Sequence, residues 1–140
     1  MLQNEFEERV GMKVSATEYE AIEVVYMNAD ESIDKDEFCR VWRQLNKKRI
    51  QAYKAKMKAQ EEYDEHIFRM KVLRDKLYCN NDKEISKLLT KKDISDLNKA
   101  NISITRFNYI DYKVADKPTS ELASDIHWYI EQEEDKRRTA

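Results

Sequence analysis

The chain has 140 residues, a formal net charge of −2, and only one glycine and one proline, Gly11 and Pro118. This length suits one small domain with an appendage, and so few turn residues exclude a fold built mainly from sheets. Apolar residues make up 41% of the chain, which is too many for a disordered protein. The composition therefore predicts an all-α protein.

The N-terminal part predicts a corner of short helices. Residues 3–10 predict a first helix that ends at Gly11, in the left-handed conformation that glycine adopts easily. A capping box at Ser15 predicts a second helix over about 16–28. A similar capping pattern at Asp34 and Glu37 predicts the start of the long helix that follows.

Residues 38–79 contain neither glycine nor proline and are rich in residues that lose little freedom in a helix. We predict one helix of about 40 residues, which would span roughly 60 Å. The sequence leaves open whether this helix is continuous or bends near Asn46 or Glu61 into a hairpin. A 140-residue globule cannot cover such a length. The helix is therefore expected to be an arm, a coiled-coil strand or a partner surface.

The predicted long helix has apolar ends and a polar middle. The ends are expected to pack into an N-terminal and a C-terminal unit. The middle, residues 46–66, has only a sparse apolar stripe and is expected to be solvated or covered by a partner. The apolar residues are Phe38, Val41, Trp42 and Leu45 at the start and Ile67, Met70, Leu73 and Leu77 at the end.

The rest of the chain predicts a C-terminal cluster of four helices, over 83–89, 91–100, 104–112 and 120–135, followed by a polar tail that is expected to fray. We therefore divide the chain into three parts. These are an N-terminal helical corner (1–45), an exposed basic and polar part of the long helix (46–69) and a C-terminal helical cluster (70–140).

The charges are segregated along the chain. Residues 1–37 carry eleven acids and three bases, residues 38–58 carry eight bases and no acid, and residues 59–140 carry fifteen bases and seventeen acids. The acidic N-terminal part either folds beside the basic segment and neutralises it, or leaves it as a contact surface for nucleic acid or an acidic protein.

The basic face of the long helix is the leading candidate site. Between Lys47 and Lys58, six bases are interleaved with Tyr53 and Met57. This pattern suits phosphates or an acidic partner helix, and it is also typical of a solvated helix face. The expected partner-binding residues are Arg43, Lys47, Lys48, Arg49, Tyr53, Lys54, Met57 and Lys58.

Residues 96–110 resemble the turn and second helix of a helix-turn-helix motif. Asn101 stands at the turn position usually held by glycine, and asparagine tolerates that conformation. The segment departs from the motif at Asp96, where an apolar residue is expected, and at Leu97, where a small one is usual. The alternative is a plain helical core. The resemblance implies DNA contacts through Ser103, Thr105, Arg106, Asn108, Tyr109 and Lys113.

Residues 26–38 resemble the calcium loop of an EF-hand. Tyr26 stands at the first ligand position, where the family has aspartate, and Glu31 replaces the glycine of the sharp turn. The alternative is a helical corner in which Asp34 caps the next helix. We expect no metal and no cofactor, and the resemblance leaves weak calcium binding by Asn28, Asp30, Asp34 and Glu37 as an alternative.

No catalytic motif stands out in the sequence. His66 and His127 are isolated from other catalytic residue types, and a single glycine does not allow a phosphate-binding loop. Zinc needs a denser group of cysteine and histidine than the chain offers. We expect no enzymatic activity, no catalytic residues and no small-molecule substrate.

The cysteines and the hydropathy of the sequence also predict where in the cell the protein is located. Cys39 and Cys79 lie at opposite ends of the predicted long helix, so they are expected to be reduced thiols. We see no signal peptide and no apolar stretch that could span a membrane. The expected location is therefore the cytoplasm, or the virion or host cytoplasm if a phage encodes the protein.

The segment Glu5–Trp42 resembles the start of a group of small proteins of gut Bacteroidales and their phages and mobile elements. The shared pattern is EFEERxG, then EYExIExxYM, then DKDEFCxxW. The resemblance brings no activity and no functional residue, but it implies a setting in which small proteins bind a host factor, a phage component or DNA.

We therefore expect a non-enzymatic protein-binding or adaptor protein of a phage or mobile element. It would bind a protein partner, or a second copy of itself, through the basic helix. A DNA-binding regulator is the alternative, and a calcium binder is the weaker one.

Overall fold

The computed structural model describes residues 1–139, which form seven helices and one two-stranded antiparallel sheet. The chain is mostly helical, as predicted, but not all-α. Contacts divide it into two compact units, Met1–Gln60 and Glu61–Ala140. The elements in chain order are α1 (Gln3–Val10), α2 (Ala16–Met27), α3 (Lys35–Leu45), α4 (Lys47–Tyr78), α5 (Ile85–Leu88), α6 (Lys91–Lys99), β1 (Thr105–Asn108), β2 (Lys113–Asp116) and α7 (Thr119–Thr139).

The helix ends of the N-terminal unit follow the local sequence signals. Gly11 ends α1 with φ 80° and ψ 25°, the left-handed conformation predicted for it. The Ser15 side chain accepts a hydrogen bond from the Glu18 backbone at 3.1 Å and caps α2. Asp34 accepts one from the Glu37 backbone at 2.8 Å and caps α3. These caps confirm the predicted helix starts. Such caps can be predicted from the sequence because each joins residues only three positions apart.

An aromatic cluster forms the core of the N-terminal unit. Phe6 is fully buried, and its ring centroid lies 5.0 Å from that of Trp42 and 5.9 Å from that of Tyr19. Phe38, Trp42 and Tyr53 are partly buried against this core. The buried members of the core are Phe6, Val10, Met12, Val14, Ile22, Cys39 and Ile50.

The predicted single helix of about 40 residues is wrong, because α3 ends before Asn46 and α4 begins after it. The Asn46 side chain and backbone N–H both donate to the Trp42 carbonyl, at 2.9 and 3.0 Å. Asparagine competes with the helix in this way. In a continuous helix, Ile50 would lie about 80° around the axis from Trp42. The break brings Ile50 into the same core as Trp42, while Leu45 and Val41, which were expected to be packed, stay exposed.

The second half of α4 packs into the core of the C-terminal unit. Ile67, Met70, Leu73 and Leu77 are all buried, as predicted from their spacing. Helix α7 contributes apolar residues to the same core. The buried core residues of this unit are Met70, Leu73, Leu77, Ile85, Leu97, Leu122, Ala123, Ile126 and Ile130.

The polar end of α7 is helical as far as Thr139, beyond the predicted end near residue 135. Ion pairs to α4 account for the extra turn. Lys71 reaches Glu134 at 2.7 Å, and Arg137 pairs with Asp64 while its guanidinium lies 4.4 Å from the centroid of the Tyr63 ring. The tail that was expected to fray is therefore held against its neighbour.

The predicted helix over 104–112 is wrong, because this segment forms the β1–β2 hairpin. Phe107 pairs with Val114 across the two strands. Asn101 does adopt the left-handed conformation predicted for it, with φ 55°. However, the Ser103 hydroxyl accepts from the Thr105 backbone at 3.2 Å, which is a turn contact and not a helix cap. Threonine and phenylalanine in the strand also favour an extended chain.

Candidate functional site

The predicted basic surface lies on the first half of α4, within the N-terminal unit. Lys47, Lys48, Lys54 and Lys58 are exposed, and Met57 is 49% exposed. Arg43 on α3 is exposed too, but its guanidinium donates to the Arg9 carbonyl at 2.9 Å. The structure therefore brings most of the predicted partner-binding residues onto one accessible helix segment.

Besides Arg43, two of the eight predicted partner-binding residues make contacts inside the unit. Arg49 binds Glu18 through both guanidinium nitrogens, and its hydrogen bond lowers the pKa of the Glu18 carboxyl. The Arg49 guanidinium also lies 5.9 Å from the centroid of the Trp42 ring. Tyr53 is half-buried against the aromatic core. The acidic part of the chain thus neutralises one base of the segment.

Three of the four predicted lysines, Lys47, Lys54 and Lys58, form a row along α4 together with Gln51. Lys47, Gln51, Lys54 and Lys58 are separated by four, three and four residues, so they lie on one side of the helix. Among residues 1–139, Lys47, Lys54 and Lys58 form no ion pair with an acidic side chain. We call these four residues the lysine row. It is a local positive surface without an internal counter-charge.

The residues of the EF-hand resemblance are each engaged locally. Asn28 donates to the Val24 carbonyl at 2.9 Å, and Asp30 accepts from the Ser32 backbone at 2.9 Å. Asp34 caps α3, and Glu37 pairs with Arg40. Within residues 1–139, no group of three or more His, Cys, Asp or Glu side chains is arranged to hold a metal ion.

The residues of the helix-turn-helix resemblance lie on the hairpin and not on a recognition helix. Arg106 pairs with Glu121 at 3.0 Å, and the Asn108 amide donates to Asp111 at 3.1 Å. Tyr109 is exposed in the turn, and Lys113 lies on β2. The interpretation as a helix-turn-helix motif is therefore wrong, because the second helix is replaced by two strands.

A buried polar network joins α4, α6 and α7 in the C-terminal unit. The Asp96 carboxylate, 1% exposed, accepts hydrogen bonds from Arg69 Nε at 2.8 Å and Nη2 at 3.0 Å. His66, 6% exposed, lies with Nδ1 2.9 Å from Asp96 and Nε2 3.0 Å from the Tyr129 hydroxyl. One buried carboxylate thus collects donors from two side chains of α4.

The hydrogen bonds of this network run in one direction. The Asp96 carboxylate can only accept, so His66 donates to it through Nδ1, and the Tyr129 hydroxyl donates to Nε2 when that nitrogen carries no proton. Burial raises the pKa of Tyr129, which keeps the phenol protonated. Burial also raises the pKa of Asp96, but the hydrogen bonds from Arg69 and His66 outweigh it and bring the pKa to about 2. The charged carboxylate of Asp96 binds Arg69 and His66, and the Tyr129 phenol binds the other nitrogen of the imidazole. This chain of hydrogen bonds stabilises the packing of three helices.

The sequence contains a signal for this network, although none of the motifs described above includes it. His66 precedes Met70, Leu73 and Leu77 at spacings of four, three and four, so it shares their buried stripe. Asp96 stood out as a charged residue where an apolar one was expected. A histidine and an aspartate at core positions of two helices indicate a buried pair.

The low pKa of Asp96 makes the stability of the protein sensitive to acid. The pKa of the folded state lies below that of an unfolded aspartate, so the stabilisation is present above about pH 4 and is lost as the pH falls toward 2. We expect the wild type to lose about 2 kcal/mol relative to Asp96→Asn over this range. Urea unfolding of both proteins at several pH values measures the difference. A gap in stability that stays constant with pH would contradict the role given to the Asp96 charge.

The comparisons with known proteins add no homologue to these observations. No family model, no curated protein and no solved structure matches the chain. Within residues 1–139, none of the helices combines the length and the apolar character that crossing a membrane requires.

Proposed function

We propose that this chain is a non-enzymatic protein-binding or adaptor protein of a phage or mobile element, and that its lysine row binds an acidic segment of another protein. The observation that carries the proposal is the lysine row itself, in which three exposed lysines share one side of α4 without an ion pair to an acidic side chain among residues 1–139. The phage or mobile-element setting rests on the resemblance of residues 5–42.

The lysine row is shaped to meet another elongated element. From Lys47 to Lys58 it extends about 16 Å along the helix axis. A partner helix with carboxylates at matching spacings of three and four residues would meet all three ammonium groups. Met57, half exposed on the same segment, offers a flexible apolar contact beside the charges. The charges would mainly speed and orient the encounter, and the apolar contact would add to its lifetime.

The charge of the whole N-terminal unit favours a short acidic segment over a nucleic acid. Residues 1–60 hold eleven acids and eleven bases, so the unit is neutral. Exposed acids such as Glu8, Glu20 and Glu31 would repel a long polyanion, while a short acidic segment can avoid them. The positive surface is thus confined to one side of α4 and suits a short acidic segment.

A capture experiment with matched charge variants tests the proposal. The tagged full chain is compared with the triple variant Lys47→Glu, Lys54→Glu, Lys58→Glu in a nuclease-treated lysate of a gut Bacteroidales host. The control triple variant Lys83→Glu, Lys91→Glu, Lys92→Glu makes the same charge change at exposed lysines of the C-terminal unit. We expect quantitative mass spectrometry to show a protein retained by the wild type and the control and reduced at least about tenfold with the first variant.

Varying the ionic strength and omitting the nuclease distinguish binding of an acidic protein from binding of nucleic acid. Retention through the lysine row should weaken as ionic strength rises, because salt screens exposed charges. A partner that both triple variants retain equally would show that the lysine row is not the binding surface. Partners that disappear after nuclease treatment, with nucleic acid in the untreated eluate, would replace the acidic protein by nucleic acid.

A further inference from the structure

The β1–β2 hairpin of the C-terminal unit carries an exposed aromatic face. Side chains alternate between the two faces of a hairpin, so Phe107 and its cross-strand partner Val114 lie on the same face. Phe107 is 44% exposed and Val114 is 67% exposed. A hairpin of two short strands is marginally stable alone, so an apolar face open to water is an unusual feature for it.

The turn extends this face with two more aromatic rings. Tyr109 and Tyr112 are 79% and 81% exposed, and their ring centroids lie 4.9 and 6.3 Å from that of Phe107. Both contacts are edge-to-face, at 85° and 72°. Ile110, at 88% exposure, lies between the two tyrosines in sequence. We call Phe107, Tyr109, Ile110, Tyr112 and Val114 the hairpin patch.

The hairpin contacts the rest of the C-terminal unit through its opposite face and its base. Arg106, on the face opposite Phe107, pairs with Glu121 of α7 at 3.0 Å. The Lys117 backbone N–H, just after β2, donates to the Ile104 carbonyl at 2.8 Å. The opposite face and the base of the hairpin are thus tied to the unit, and the hairpin patch is left open among residues 1–139.

We propose that a second copy of this chain covers the hairpin patch, with the two hairpins packed face to face around a two-fold axis. If a fully exposed aromatic side chain offers about 150–250 Å², the hairpin patch leaves roughly 600 Å² open on each copy. A standard protein interface buries about 800 Å² on each side, which the hairpin patch and a modest rim would reach. An apolar surface is complementary to itself, as a two-fold contact requires.

The charges around the hairpin do not favour a strongly charged partner. Lys113 lies near the tip of the hairpin and Asp116 near its base, on opposite faces of the two strands. Because residues of both signs flank the hairpin, a nucleic acid or another partner of one strong charge meets no matching field there.

Sedimentation equilibrium of the full chain tests the proposal, at concentrations on the order of 1–100 μM, which bracket the weak affinity of small interfaces. We expect a monomer–dimer equilibrium in the wild type. Tyr109→Ser with Tyr112→Ser should raise the dissociation constant roughly 100-fold, because these two rings are the most exposed aromatic side chains of the hairpin patch. Trp128→Ser, which removes an aromatic ring that is 64% exposed on α7, should leave the constant unchanged. Circular dichroism checks that each variant is folded.

A wild type that stays monomeric, or a tyrosine variant that dimerises as strongly as the wild type, overturns the proposal. A monomeric wild type whose tyrosines are needed to retain a different protein also overturns it. None of these results involves the lysine row, so this proposal and the proposed function can fail separately.

Discussion

Replacing Asp96 by alanine is expected to lower the free energy of unfolding by about 3–5 kcal/mol at neutral pH, the usual cost of breaking a buried charge pair. The substitution removes the acceptor shared by Arg69 and His66. The buried Nδ1 of His66 then has no acceptor, and Arg69 keeps only its pair with Glu65 at 4.0 Å. Urea unfolding followed by circular dichroism measures the loss.

The matched control for Asp96 is Asp75→Ala. Asp75 also lies in a helix and pairs with an arginine, Arg74 at 3.1 Å, but its side chain is 67% exposed. An exposed pair of this kind contributes under about 1 kcal/mol. If the two alanine variants lost similar amounts of stability, the network would not hold the three helices together as described.

The second large effect is expected at Phe6 in the core of the N-terminal unit. Phe6→Ala should cost about 3–5 kcal/mol, because it removes a fully buried ring and leaves a cavity beside Trp42 and Tyr19. Hydrogen exchange read by mass spectrometry should show the loss of protection in peptides from α1, α2 and α3, whose residues surround this core.

Phe68→Ala supplies the comparison for Phe6. Phe68 is 67% exposed on α4, so the same change there removes few packed contacts and should alter the stability by about 0.5 kcal/mol or less. Equal losses at Phe6 and Phe68 would contradict the assignment of Phe6 to a packed core. An unchanged exchange pattern in α1 to α3 would contradict it as well.

The parts of the fold that could be predicted from the sequence rest on short-range rules. Ser15, Asp34 and Gly11 mark helix ends because each acts on backbone groups within one turn. The buried stripe from Ile67 to Leu77 follows from helical spacing in the same way. Such features do not depend on what the rest of the chain does.

The hairpin and the break at Asn46 depend on distant contacts. A helix over residues 104–112 has acceptable local signals, but the extended form lets Arg106 reach Glu121 and pairs Phe107 with Val114. At Asn46, the interruption puts Ile50 into a core made by α1, α2 and α3. Local propensity is weak, so tertiary packing overrides it at both places.

The candidate surfaces differ in the same way: one could be predicted from local spacing, and the other could be seen only in the fold. The lysine row was visible in the sequence because its spacing is that of a helix, whereas the use of Arg49 by Glu18 required the fold. The hairpin patch was hidden, since its residues were assigned to a helix. The network around Asp96 joins residues about 30 and 60 positions apart along the chain, beyond the reach of any local pattern.

By itself, the sequence determined the helical character of the chain, most of its helix ends, the buried stripe of α4 and the basic row on that helix. These properties follow from backbone preferences and from the 3.6-residue period, which act within a few turns. Only the tertiary structure decided where α3 gives way to α4, that residues 105–116 pair as strands, and which charges are buried together. Those outcomes depend on which distant side chains share a core, and burial outweighs the small differences in local propensity.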